Sequence, residues 1–269
     1  MSEPNLPWIS PSQASTALKK GTGKGIKIAI LDSGIDTSHP VLENVSIADR
    51  FAVIETDLGV EIEEDKGGDA FGHGTAIAHL IHQVAPEAQL GSFKVLQVTE
   101  GQTAGKAAYL QTAVQAAIER GYQIVNCSFG TPARPSIFRY FKTWIDKAYL
   151  ENVHVVTACN NTNYTRAEWP SHFPSVIAVN MGRIDGDDFH YRQGQMVEFF
   201  ARGEKVPVPW LDGGWKTVTG SSYAAPRMSG LIARLLSQYP DLSAPLVKAV
   251  LRNTAKPWNP DVAGSNVWL

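Results

Sequence analysis

An α/β fold, with a doubly wound, mostly parallel sheet flanked by helices, is what the sequence predicts. Three observations carry it. Short, nearly continuous apolar runs recur, as in Ile26-Lys27-Ile28-Ala29-Ile30-Leu31, which is the pattern of strands covered on both faces. Segments with apolar residues at helical spacing lie between those runs. Strands and helices that alternate along one chain build a parallel sheet with right-handed crossovers. The 269 residues, 43% of them hydrophobic, are enough for a sizeable core. No internal repeat, low-complexity segment or linker interrupts them, so one domain is expected over residues 1–269, with 1–6 as a short extension and about 258–269 as a tail.

The first predicted helix covers residues 11–19, with Ser10 as its cap. The glycine-rich Gly21-Thr22-Gly23-Lys24-Gly25 precedes a strand, whereas a dinucleotide loop must follow one, so it reads as a turn. The first strand, 26–31, ends in Asp32-Ser33-Gly34. Sites of open α/β sheets lie at the carboxyl ends of strands, which gives Asp32 a place for chemistry, although Asp-Ser-Gly is also an ordinary turn. Seven acids between Glu55 and Asp69 read as a solvated loop, without the ligand spacing of a calcium loop. Phe71-Gly72-His73-Gly74-Thr75 opens a helix over 76–83 and presents an imidazole between two glycines. His79 and His82 follow at offsets that do not bring three histidines to one helix face, which disfavours zinc.

A second strand is expected over 89–98, and a polar connection over 100–106. A helix over 107–120, closed by Gly121, comes next. A third strand runs over 123–130, a helix over 137–151, a fourth strand over 153–159 and a fifth over 176–180. Residues 181–220 look like β-meander and loop. Helices over 222–239 and 244–253 close the chain, and Pro257 and Pro260 end regular structure.

Composition narrows the function. The net charge is −2 and no basic stripe is present, which disfavours nucleic acid as a partner. No apolar run reaches the ~18 residues of a membrane span. The first residues lack the pattern of a signal peptide, and two cysteines, Cys127 and Cys159, are too few for a disulfide scaffold. A soluble, cytoplasmic protein with two buried thiols is the expectation.

One stretch ties these elements together: Gly220-Ser221-Ser222-Tyr223-Ala224-Ala225-Pro226 at the start of a helix. A serine there can be an ordinary N-cap. It can also be a nucleophile, because the free N–H groups and dipole of a helix start favour a developing negative charge. The second reading needs a base and a carboxylate to orient that base. Asp32, His73 and Ser222 supply all three, each on the predicted carboxyl edge of one sheet.

At this point the chain resembles the subtilisin family of serine proteases, the subtilases (peptidase S8 type). Asp32-Ser-Gly resembles the family's Asp-Ser/Thr-Gly motif, His73-Gly-Thr its His-Gly-Thr motif, and Gly220-Ser-Ser222-Tyr-Ala-Ala-Pro226 its Gly-Thr-Ser-Met-Ala-x-Pro motif. The order Asp…His…Ser is also that of subtilisin. Weaker matches include Lys94-Val-Leu96, Asn126-Cys-Ser-Phe-Gly130 and Pro174-Ser-Val-Ile-Ala-Val179. The resemblance implies a three-layer subtilisin-like fold and a serine endopeptidase that works through an acyl-enzyme. Ser222 is the implied nucleophile, His73 the base, Asp32 its orienter, and Asn161 an oxyanion donor beside the Ser222 N–H. Ser128, Phe129 and Gly130 on one side and Glu100, Gly101 and Gln102 on the other are the implied edges that pair with an extended protein or peptide substrate. No cofactor is implied as required. Calcium is common in the family, with no ligands assignable here, and the oligomeric state stays open.

Several residues depart from the family pattern. Asn160 stands where glycine usually precedes the oxyanion asparagine; it tolerates left-handed backbone and narrows the substrate side-chain pocket. Ala76, His79, Tyr223 and Arg227 also differ, and none of these is expected to touch the three. The alternatives to a general protease are a dedicated processing protease for one precursor peptide and a catalytically silent peptide-binding module.

Overall fold

The computed structural model describes residues 9–99, 102–259 and 261. Helix α1 (Pro11–Lys20) opens with a capping box in which the Ser10 hydroxyl accepts from the Gln13 N–H and the Gln13 side chain accepts from the Ser10 N–H. Strand β1 (Lys27–Asp32) follows, then the hairpin β2 (Ile47–Thr56) and β3 (Gly59–Glu64), helix α2 (His73–Val84) and strand β4 (Gln89–Lys94). Next come the hairpin β5 (Leu96–Thr99) and β6 (Gln102–Gly105), helix α3 (Ala107–Glu119), β7 (Ile124–Cys127), the short β8 (Thr131–Pro132), α4 (Pro135–Leu150) and β9 (His154–Ala158). The chain continues through β10 (Glu168–Trp169), β11 (Ile177–Gly182), β12 (Phe189–Tyr191), β13 (Phe199–Arg202), β14 (Val206–Pro209), β15 (Trp215–Val218), α5 (Ser221–Gln238), α6 (Ala244–Thr254) and β16 (Lys256–Pro257).

Ten strands form the central sheet in the order β16-β12-β13-β11-β9-β7-β1-β4-β2-β3. The seven from β13 to β2 run parallel, and antiparallel strands lie only towards the two edges. The apolar runs have the reason expected of them. Ile28 and Ile30 of β1 pack with α1, α2, α5 and α6 on one face, while Ala29 and Leu31 pack with α3 and α4 on the other. The result is the three-layer α/β sandwich that the sequence predicts.

Four details differ from expectation. The run over 89–98 is two strands: the pairings of β4 with β1 and with β2 both end at Lys94, and β5 turns away to pair with β6. The connection over 100–106 therefore contains a strand; Glu100 and Gly101 lie outside the described residues. The acidic segment is not a solvated loop throughout. Most of it is β2–β3, and both Asp65 and Asp69 are buried. Within 181–220, β13 lies parallel to β11 and extends the main sheet, while β14 and β15 form a separate hairpin. No described helix is long and apolar enough to cross a membrane.

Candidate active site

Asp32 is the last residue of β1 and His73 the first of α2. The His73 Nδ1 lies 2.8 and 2.9 Å from the two Asp32 carboxylate oxygens. A carboxylate accepts there, so Nδ1 carries the proton and Nε2 is left as the acceptor nitrogen of the neutral ring. Asp32 is 1% exposed at its side chain and His73 12%. Gly74 permits this approach: a Cβ at 74 would stand 2.0 Å from the Gly34 carbonyl oxygen.

Asp69, read from the sequence as one solvated acid among seven, holds this corner together. Its carboxylate accepts from the Ser33 hydroxyl (2.8 Å), from the N–H groups of Phe71, Gly72 and Thr75, and from the Thr75 hydroxyl (2.7 Å). It thereby locks the segment that enters α2 against the end of β1. Burial pulls the His73 pKa down, but the charge and hydrogen bond of Asp32, together with the charge of Asp69, outweigh it and leave the pKa raised.

Helix α5 starts at Ser221 with Gly220 in the cap position, and neither serine acts as a side-chain cap. The Ser221 hydroxyl donates to the Cys159 carbonyl (2.6 Å) and accepts from its N–H (3.2 Å), which pins the helix start to the end of β9. Ser222 is the second helical residue. Pro226 lies one turn beyond it rather than in the first turn, and has no N–H to give the Ser222 carbonyl. Ser128 takes that role, its hydroxyl donating to the Ser222 carbonyl at 2.9 Å. Asn126 in turn donates to the Ser128 hydroxyl and accepts from Ser229, tying β7 to α5. Asn126 was visible in the sequence only as part of a weak motif.

The Asn161 Oδ1 accepts from the Ser221 N–H at 2.7 Å, which turns its Nδ2 the other way. A Cβ at Gly220 would lie 3.5 Å from that Nδ2 and 3.3 Å from the Ser222 Oγ. Glycine therefore keeps open a gap bordered by the serine hydroxyl and an amide donor. The Ser222 N–H, in the first turn of α5, has no acceptor among the described residues. The Ser222 hydroxyl likewise makes no hydrogen bond among them; unliganded sites often leave catalytic bonds long. Of the departures, Tyr223 does touch the cluster, since its ring meets His73 edge-on with centroids 5.4 Å apart.

Asn160 does not use the left-handed backbone it tolerates. Its Oδ1 accepts from Thr162 and Asn163, and its Nδ2 donates to Glu168 at 2.7 Å. The backbone of Ser128, Phe129 and Gly130 makes no backbone hydrogen bond among the described residues, which leaves an edge for an added strand. Opposite it in the sequence scheme, only the backbone of Gln102 falls within the described residues, in β6. A cavity of about 380 Å³ adjoins Phe129 and Gly130 and is lined by Leu96, Ala107, Leu110 and Ile137. Cys127 and Cys159 are free and buried, and burial raises both thiols far above their ordinary pKa. Among the described residues no three His, Cys, Asp or Glu side chains converge on a point fit for a metal ion, so the calcium allowed by the resemblance has no carboxylate cluster there.

The model of the subtilase family matches residues 23–267. Subtilisin E of Bacillus subtilis (strain 168) is 29% identical over 262 residues, covering 92% of this chain and 65% of its own length. This chain thus spans about two thirds of that relative. Subtilisin DY of Bacillus licheniformis is 29% identical over 251 residues, covering 87% of this chain and 84% of its own. Among solved structures, the S41 psychrophilic protease superposes with a TM-score of 0.69 at 25% identity, over 86% of this chain and 83% of that one. A lanthipeptide protease superposes with a TM-score of 0.72 at 21% identity, over 90% and 83%. With the family's model matching nearly the whole chain, the chain belongs to the subtilase family.

Proposed function

We propose that the protein is a serine endopeptidase in which Ser222 attacks the scissile carbonyl. His73 takes the hydroxyl proton and returns it to the leaving amine, and an acyl-enzyme on Ser222 is then hydrolysed. Asp32 holds the imidazole in the tautomer that leaves Nε2 as base and stabilises the imidazolium that forms. The oxyanion is received by the Asn161 Nδ2 and the Ser222 N–H, donors fixed in place before the charge develops. The observation that carries this reading is the buried Asp32 carboxylate within 2.9 Å of the His73 Nδ1, joined by the gap that Gly220 leaves between Ser222 and Asn161.

The substrate is a protein or peptide, bound as an extended strand along residues 128–130 and the β6 side. The tied-down Asn160 favours a restricted set of substrates over a broad one, the dedicated processing protease of the sequence reading. Two unpaired buried thiols support a reducing, cytoplasmic setting. Hydrolysis of internally quenched peptides tests the activity. The wild type is expected to cleave, and Ser222→Ala to lose at least about 10⁴-fold in turnover. Equal turnover by the two proteins would overturn the assignment.

A further inference from the structure

Glu168 is a carboxylate with no lysine or arginine partner among the described residues, and the neighbouring His172, whose Nδ1 accepts from the Glu168 N–H, has its pKa lowered by burial. Glu168 opens β10, is 9% exposed, and forms no ion pair among the described residues. Its Oε1 accepts one bond, from the neutral amide of Asn160. Its Oε2 accepts none, yet is not among the fully enclosed polar atoms that lack partners, so it reaches solvent. Burying a charge without pairing it is costly. The usual remedy, a lysine or arginine of the same chain, is missing here.

Its position says what could supply the charge. Oε2 lies 2.7 Å from where a Cβ of Gly130 would stand, so the carboxylate packs directly against the open edge 128–130. Oε1 is held by the residue next to Asn161. Both flanking segments are fastened to the start of α5, Ser128 through the Ser222 carbonyl and Asn161 through the Ser221 N–H. A substrate residue whose carbonyl sat between Ser222 and Asn161 would carry its side chain beside residues 128–130 and 160, the two segments that Glu168 touches.

We infer that Glu168 is a specificity-determining residue that makes this pocket a receptor for a cationic side chain, so that the enzyme cleaves after lysine or arginine. The inference rests on the peptidase reading above. An ammonium or guanidinium entering the pocket meets the free Oε2 and pairs the charge that the fold leaves alone. Asn160 positions the carboxylate by fixing its other oxygen.

Quenched peptides that differ only at the residue before the scissile bond test this, with active enzyme counted by a fluorophosphonate probe. Wild type is expected to show kcat/KM roughly tenfold or more higher for Lys or Arg than for Leu. Glu168→Gln, which keeps an acceptor for Asn160, is expected to lower the ratio of basic to apolar substrate by roughly tenfold or more; Glu168→Asp is expected to restore part of it. Preference for Leu or Phe by probe-reactive wild type, or a loss in Glu168→Gln that is equal for all peptides, overturns the pocket assignment alone. Folded wild type that the probe does not label overturns the peptidase reading and this inference with it.

Discussion

Asp69 is the buried carboxylate that ties the entry of α2, and with it His73, to the end of β1. It gathers the N–H groups at the entry to α2 and the hydroxyls of Ser33 and Thr75 onto one carboxylate, and its charge adds to that of Asp32 on His73. In Asp69→Asn an amide N–H faces donors where an acceptor was needed. Bonds to a charged acceptor contribute about 1.5–3 kcal/mol each, so denaturant unfolding is expected to show a loss of at least about 2 kcal/mol. The pH profile should move too. The base works only when neutral, so activity rises with pH through the raised pKa of His73. Removing the Asp69 charge lowers that pKa and shifts the midpoint of the rise to lower pH. A midpoint that does not move would show that Asp69 acts through structure alone.

The elements meet where bulk is absent. At Gly74 the first turn of α2 presses on the turn after β1, and a Cβ there would meet the Gly34 carbonyl oxygen at 2.0 Å. Gly74→Ala must displace His73 relative to Asp32, and a displacement near 1 Å costs about 10²-fold in rate. A kcat within threefold of wild type would refute this. The contacts at this scale also explain what was legible in the sequence. Asp32, His73 and Ser222 stand in short motifs at element ends, each with a glycine within two residues, whereas Asn161 has none. Strands covered on both faces announced themselves as apolar runs, and α1 by its capping box. Asp69, Asn126, Glu168 and Tyr223 were hidden because their roles arise from contacts far apart in the chain: Asp69 to Ser33, Asn126 to Ser229, Glu168 to Gly130, Tyr223 to His73. The break between β4 and β5 was hidden because hydropathy runs straight through it, whereas pairing to both neighbouring strands stops at Lys94.

Across the whole molecule, the sheet carries the site on its carboxyl edge and buries neutral histidines behind it. His154 begins β9, is 2% exposed, and has its pKa lowered by burial to about 4. The unfolded chain binds a proton there near the ordinary 6.5 and the folded chain does not. The unfolded state thus gains protons first as pH falls, and folding stability drops between about pH 6.5 and pH 4. The contribution of this one residue reaches about 3 kcal/mol at the bottom of that window. Thermal unfolding should show a lower Tm at pH 4.5 than at pH 7, with the difference reduced in His154→Gln. Equal pH dependence in the two proteins would locate the acid sensitivity elsewhere.

Of the two serines at the start of α5, one is activated, and adduct mapping shows which. The folded protein is treated with a fluorophosphonate and digested, and the modified residue is located by mass spectrometry. A single adduct is expected on Ser222, absent in Ser222→Ala and forming faster as pH rises through the His73 transition. An adduct on Ser221, whose hydroxyl is committed to Cys159, or no adduct on the folded wild type, would contradict it.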